Sequence, residues 1–377
     1  LLTTPKYDTL HPIIETPNQS PHHSSSKGFD MTTNTTLQKE LATTIAKLAA
    51  KGKGILAADE SVATITKRFE ALNIPSTEQT RRDYRELLIA APGLNDYIAG
   101  VILFEETLYQ TASSGQTFPE LLKKFDILTG IKVDKGLVNL PDNEVEQYTQ
   151  GLDNLGERLQ EYRSKGASFA KWRAVYHVSA TTPSGLAIKT NSEGLATYAA
   201  LCQANGIVPI VEPEVLIDGD YTIERSAEVT EAVLHSLFHT LYKHKVKLEY
   251  LVLKPSMVIS GLKSGSKATP EQVGKATVEV LRRTVPAAVP TINFLSGGQS
   301  PEQATANLNA MNSLPGNPWN ISYSYARALQ DYCMKTWMGD AKNSAAAQKI
   351  FLQRARLNSL ASAGKYSAEL EKEVSIA

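Results

Sequence analysis

Eight short apolar runs, separated by amphipathic stretches of helix length, constrain this chain more than any other feature. They fall at residues 54–60, 100–105, 130–134, 169–175, 207–214, 250–255, 291–295 and 321–325. Between them, residues 150–164, 192–204, 223–243 and 271–283 carry apolar side chains near helical spacing. Such alternation is the pattern of a parallel sheet covered by helices. Eight units predict an α/β fold, a single (β/α)8 barrel with additional helices; periodicity alone leaves an open doubly wound sheet as the alternative. Helix starts are marked at Ser76-Thr77-Glu78-Gln79, Thr269-Pro270-Glu271-Gln272 and Ser300-Pro301-Glu302-Gln303. Each places a hydroxyl three residues before a Gln, a capping-box arrangement, and the last two put Pro at the first helical position.

A chain of 377 residues can bury one large core, and no internal linker or residue-level repeat divides it. Lys plus Arg and Asp plus Glu each total 39, so no net field draws nucleic acid or an anionic membrane, and any attraction for anions must be local. Cys202 and Cys333 are too few for a disulfide framework and point to a reducing compartment. No apolar run approaches the roughly 18 residues that a membrane span needs. Residues 1–30, rich in Ser, Thr, Pro and His, are expected to form a disordered extension; 31–377 would be the barrel domain, with a flexible tail after about 360. An organelle transit peptide is the alternative for the extension, but no arginine precedes Arg68.

Charged residues interrupt the ends of the apolar runs. Asp59 follows Ala57-Ala58, Lys132 and Asp134 flank Val133, Lys171 and Arg173 flank Trp172, Glu212 and Glu214 flank Pro213, and Lys254 follows Leu251-Val252-Leu253. A spacing of two sends both side chains to one face of a strand, and C-terminal strand ends form the active-site face of such a barrel. A lysine in an apolar setting beside another cation loses its proton more readily and becomes a nucleophile for carbonyls. Lys254 is the candidate, with Lys171 as the second cation. The residues equally allow Lys254 to be a structural ion-pair partner of Glu212 or Glu214.

An anion site is suggested at Ser296-Gly297-Gly298, which runs into the capped helix start at Ser300 and offers backbone N–H groups. Ser324 and Arg327, at the end of the next run, could clasp the same anion. Lys53, between Gly52 and Gly54, lacks phosphate-loop spacing and reads as a turn. His235 and His239 stand four apart without an accompanying carboxylate motif, so no metal site is expected.

In order along the chain, the segments 52–61, 130–136, Ala170-Lys171-Trp172-Arg173, Val211-Glu212-Pro213-Glu214, Leu253-Lys254-Pro255 and Leu295-Ser296-Gly297-Gly298-Gln299-Ser300 resemble class I fructose-bisphosphate aldolases over about residues 36 to 366. The resemblance implies a barrel lyase that cleaves fructose 1,6-bisphosphate through a lysine Schiff base, in glycolysis, gluconeogenesis or the Calvin cycle. It implies no cofactor, a homotetramer, and a cytoplasmic or plastid location. Carried over by position, Lys254 is the Schiff-base lysine, Glu212 the acid/base for carbinolamine dehydration with Glu214 its neighbour, Asp59 the acceptor of the C4 hydroxyl proton, and Lys171 the positive charge beside the intermediates. Ser296, Gly297, Gly298, Ser324 and Arg327 match one phosphate site; Arg68, Lys132, Arg81 and Arg173 match residues toward the other end of the substrate.

Two departures follow. Ala326 stands where many members have Gly, and the chain ends Val374-Ser375-Ile376-Ala377, where animal members carry a terminal tyrosine that assists enamine protonation. Other readings are a different Schiff-base aldolase such as a transaldolase-like enzyme, a catalytically silent scaffold, and a pyridoxal-phosphate enzyme using the same lysine.

Overall fold

A computed structural model describes residues 31–374. The expected disordered extension at 1–30 and the terminal Ser375-Ile376-Ala377 lie outside the described residues. Among the described residues ten strands occur, in chain order β1 Gly54–Ala58, β2 Ile98–Leu103, β3 Leu128–Lys132, β4 Leu137–Asn139, β5 Gln147–Thr149, β6 Phe169–Tyr176, β7 Val208–Val215, β8 Val252–Leu253, β9 Thr291–Phe294 and β10 Asn320–Tyr325. All except β4 and β5 are parallel neighbours in one closed barrel, which the pairing of Ile55 with Ser324 seals between β1 and β10. The eight runs legible in the sequence are the eight barrel strands. The antiparallel pair β4 and β5 has no counterpart in that reading, because three-residue strands are too short for alternation to register.

Among the described residues the first six α-helices are α1 Met31–Leu48, α2 Val62–Glu70, α3 Glu78–Ile89, α4 Glu105–Tyr109, α5 Phe118–Lys124 and α6 Leu155–Ser164. The remaining six are α7 Gly185–Ala204, α8 Ile223–Lys243, α9 Pro270–Thr284, α10 Pro301–Asn312, α11 Arg327–Trp337 and α12 Ser344–Ala361. Local chemistry sets several starts. Thr269 and Gln272 form a complete capping box at α9, and Ser300 accepts from the Gln303 N–H at α10. At α3 the cap is Thr77, which accepts from Thr80, rather than the expected Ser76, whose hydroxyl is instead bonded to that of Thr66. Residues 150–154 are not helical as expected, because the chain leaves β5 through Gly151 in a positive-φ conformation.

Two apolar layers hold the barrel. Helices pack on its outside around residues such as Trp172, Tyr198, Leu237 and Phe351. Its N-terminal end is stoppered by α1, whose Leu41, Ile45 and Leu48 share one helix face and meet Ile55, Ile102, Phe169 and Val252. Burying each of those side chains contributes roughly 2 kcal/mol. A stoppered base leaves the opposite end, where the strands finish, as the open mouth.

Candidate active site

The charged residues that interrupt the apolar runs meet at that mouth. Lys171 on β6 is 4% exposed and places Nζ 2.9 Å from Asp59 Oδ2, 3.2 Å from Glu212 Oε2 and 3.9 Å from Asp134 Oδ2. Glu212 on β7 reaches Lys254 Nζ with its other oxygen, at 3.1 Å. Lys132, at the end of β3, is bound to Asp134 Oδ1 at 2.5 Å. Three ammonium groups and three carboxylates therefore interlock, so the cluster carries little net charge although its members are largely removed from water. A buried charge is tolerable only with partners of this kind.

Backbone geometry explains the convergence. The register sets Lys132 beside Lys171 and Lys171 beside Ile210, so that side chains alternate between barrel interior and helix layer along each strand. Glu212, two residues beyond Ile210, returns to the interior, while Trp172 between the two charges of β6 is buried against Tyr198 at 5.5 Å on the helix side. Spacing by two also creates a second storey. Arg173 and Glu214, nearer the mouth than Lys171 and Glu212, form their own ion pair and are more exposed. Asp59 and Lys254 lie just past their strands, since β1 ends at Ala58 and β8 is the two residues Val252–Leu253. Lys254 is nonetheless fixed by its N–H, which donates to the Val211 carbonyl at 2.9 Å.

Electrostatics follow from the pairing. Burial opposes the charged form of Asp59, but the lysines Lys171, Lys254 and Lys132 outweigh it and lower its pKa to about 2. Burial likewise opposes charge on Lys171, yet Asp59, Glu212 and Asp134 push its pKa far above the ordinary lysine value. Lys171 is a permanent cation. Glu212 Oε2, although 3.2 Å from Lys171, lacks hydrogen-bond geometry to any group among the described residues. A buried acceptor left open in this way can receive a proton from a ligand.

A cavity of about 720 Å³ opens over the cluster, lined by Asp59, Lys132, Lys171, Arg173, Glu212 and Lys254, with Ser61, Lys135 and Ala326 among the residues at its sides. A phosphorylated sugar fits such a volume. Another hollow, of about 540 Å³, lies at the stoppered end beside Lys47, Lys123 and Asp126, away from the converging charges.

The expected anion loop sits at the ends of neighbouring strands. Tyr323 pairs with Phe294, so Ser324 and Ser296 lie one and two residues further along β10 and β9. Gly298 has φ +70°, which favours glycine, and an added Cβ would stand 2.1 Å from Ile217 Cδ1 and displace that side chain. Ser324 Oγ is buried without a partner among the described residues, and Arg327 is exposed at the first residue of α11. Among the described residues no side chain caps α11, which leaves its leading N–H groups for an anion. Ala326 takes φ −101°, outside the left-handed region that favours glycine.

The other expected substrate-side cations stand differently. Arg68 on α2 is committed to Glu60 and to Asp331, the latter at 3.0 Å, beside the cavity wall. Arg81 on α3 lies off the cavity, its guanidinium held by Glu106 at 2.6 and 2.9 Å. Asp134 lay among the strand-end charges in the sequence, but its place as the link between Lys132 and Lys171 emerges only from the packing of β3 against β6. His235, on α8, stands 3.9 Å from Glu231 with most of its side chain exposed.

Comparison with known proteins adds an independent line. A model of the family described as fructose-bisphosphate aldolase class-I matches residues 40–376. A fructose-bisphosphate aldolase of Dictyostelium discoideum is 52% identical over 339 residues, covering 89% of this chain and 95% of the relative. The cytosolic fructose-bisphosphate aldolase 4 of Arabidopsis thaliana is 53% identical over 333 residues, covering 88% and 85%. Among solved structures, fructose-bisphosphate aldolase from Plasmodium falciparum, in complex with TRAP and a small-molecule inhibitor, is 50% identical. It superposes with a TM-score of 0.87, over 88% of this chain and 96% of that one.

Proposed function

The chain belongs to the class I fructose-bisphosphate aldolase family, and from that premise we propose how its own residues cleave fructose 1,6-bisphosphate to dihydroxyacetone phosphate and glyceraldehyde 3-phosphate. The observation that carries the reading is Glu212 held between Lys171 and Lys254 in a buried charge cluster at the base of the cavity. Lys254, having passed a proton to Glu212, attacks the C2 ketone and forms a carbinolamine. Glu212 returns that proton to the departing hydroxyl, so that water leaves and a protonated imine remains. Asp59 takes the C4 hydroxyl proton; the C3–C4 pair flows into the iminium, and glyceraldehyde 3-phosphate departs as the enamine forms. Protonation at C3 and hydrolysis of the imine free dihydroxyacetone phosphate and Lys254. Lys171 supplies a fixed positive charge beside the developing alkoxides and keeps Asp59 ionised. Glu214 steadies Arg173 at the mouth.

Ser296, Gly297, Gly298, Ser324 and Arg327 hold one phosphate, and Lys132, Arg173 and Arg68 serve the other end, with Arg81 in an outer position. Reaching the substrate requires Arg68 to relinquish part of its hold on Glu60 or Asp331. The proposed steps call on side chains and backbone amides alone. The enzyme works as a homotetramer in the cytosol, which sedimentation at four times the chain mass and cell fractionation would bear on; chloroplastic as well as cytosolic relatives exist.

Borohydride trapping with dihydroxyacetone phosphate, followed by peptide mapping, tests the mechanism. A single modified residue, Lys254, is expected. Modification at another lysine, or loss of activity on treatment with a chelator, would overturn it.

A further inference from the structure

Arg354, on α12, is 0% exposed and is one of the largest fully buried side chains. A guanidinium keeps its charge at any ordinary pH, so its burial demands partners that replace water. Its Nη1 donates to Glu371 Oε2 at 2.5 Å, and its Nη2 donates to the Pro301 carbonyl at 2.8 Å and to Thr305 Oγ1 at 2.5 Å. Pro301 opens α10, the helix that begins three residues after Gly298. Glu371 belongs to the 3-10 turn Ala368–Val374 near the C-terminus. A second tie lies close by: the Tyr366 N–H donates to Asn309 Oδ1 on α10, and its hydroxyl donates to Glu371 Oε1, both at 2.9 Å. The C-terminal segment thus holds α10 at its first turn and again near its end.

The Ser296-Gly297-Gly298 loop rides on this helix. Asn307 Nδ2 of α10 donates to Gln299 Oε1 at 2.7 Å, and the Gln299 N–H donates to the Ser296 carbonyl at 3.0 Å. Amides that converge on one phosphate must be held within about 0.5 Å. We propose that Arg354 is a positioning residue for phosphate binding: balanced by Glu371, it sets the first turn of α10 and with it the loop. The C-terminal segment and the phosphate loop then form one mechanical unit, at a distance from the Schiff-base lysine. The inference rests on the reading that this loop binds a substrate phosphate. Without Glu371, Arg354 loses the carboxylate that balances its buried charge, and its grip on the Pro301 carbonyl at the first turn of α10 must change.

The test uses Glu371→Ala and Glu371→Gln in the full chain, with Ser296→Ala as a control on the loop. Four quantities are measured: KM and kcat for fructose 1,6-bisphosphate, inhibition by inorganic phosphate, and the rate of borohydride trapping with dihydroxyacetone, which carries no phosphate. Glu371→Ala is expected to raise KM and the phosphate inhibition constant on the order of fivefold, with the trapping rate per folded site unchanged. Glu371→Gln, which keeps an acceptor for Nη1, gives a smaller rise. If Ser296→Ala raises the phosphate constant and Glu371→Ala does not, the coupling is refuted while the loop reading stands. If Ser296→Ala leaves it unmoved, the loop reading fails and the proposal with it. A loss of kcat and trapping in proportion to unfolded protein, at constant KM, would make Glu371 merely structural and also overturn the proposal.

Discussion

Lys254 Nζ stands 3.1 Å from Glu212 Oε1, with 5% of either side chain exposed. Moving a proton between them turns two charged groups into two neutral ones and leaves the sum over the cluster unchanged. In a medium poorer in water than the surface, that is easier than separating charge. Lys171, 3.2 Å from the other oxygen of the same carboxylate, keeps a positive charge beside it throughout.

Replacement of Lys254 by Met should abolish trapping altogether. Glu212→Gln removes the proton acceptor but keeps the shape, so Schiff-base formation should slow about 10²-fold or more, with bisphosphate affinity nearly retained. Stopped-flow trapping and equilibrium binding separate the two effects; unchanged trapping kinetics in Glu212→Gln would exclude its assigned role.

Asp59 predicts an acid-limb signature. Its folded pKa, about 2, lies below its ordinary value of 3.8, so its carboxylate contributes stability that is present above about pH 4 and disappears as pH falls through about 2. The shift corresponds to about 2 kcal/mol. Urea titrations of the wild type and Asp59→Asn should differ most at neutral pH and converge toward pH 2; a gap independent of pH would show that the Lys171 contact does not govern this carboxylate.

Lys171→Met removes the shared cation of Asp59, Glu212 and Asp134. Buried carboxylates left without it should cost about 3–5 kcal/mol at neutral pH. Lys171 is the foremost of the charges that hold the Asp59 carboxyl low, so without it Asp59 takes up a proton at higher pH and the deficit should shrink as pH falls. Denaturation midpoints from pH 7 to pH 4 provide the measurement, and a deficit that grows on acidification would contradict the assignment.

Gly298→Ala tests the loop by geometry. The methyl would meet Ile217 at 2.1 Å, and φ +70° disfavours any Cβ by about 1–2 kcal/mol. KM for the bisphosphate should rise about tenfold, while trapping with dihydroxyacetone stays close to wild type. Adding Ile217→Ala frees the space without relieving the backbone, so recovery should be partial. Full recovery would mean that the clash alone dictates glycine.

The sequence by itself determined the eight strands, because apolar runs that end in charge, such as Ala58-Asp59 and Leu253-Lys254, alternate with helix-length segments; that the sheet closes into a barrel is decided by the pairing of β1 with β10. It also placed Lys171 and Arg173, or Glu212 and Glu214, on common faces, since period two is a property of a single strand. What a single strand cannot specify is depth and partnership. That Glu212 stands between two lysines while Glu214 pairs with Arg173 depends on the register of β6 against β7, and register is a contact between segments some forty residues apart. The link from Lys132 through Asp134 to Lys171 depends in the same way on β3 meeting β6. Arg354 was silent in the sequence, one arginine on one helix; only the folding of the C-terminal segment onto α10 supplies the carboxylate and carbonyl that let it be buried. Local chemistry is written in neighbouring residues, whereas the charge balance of a buried group is decided by whichever distant segments the closed barrel brings against it.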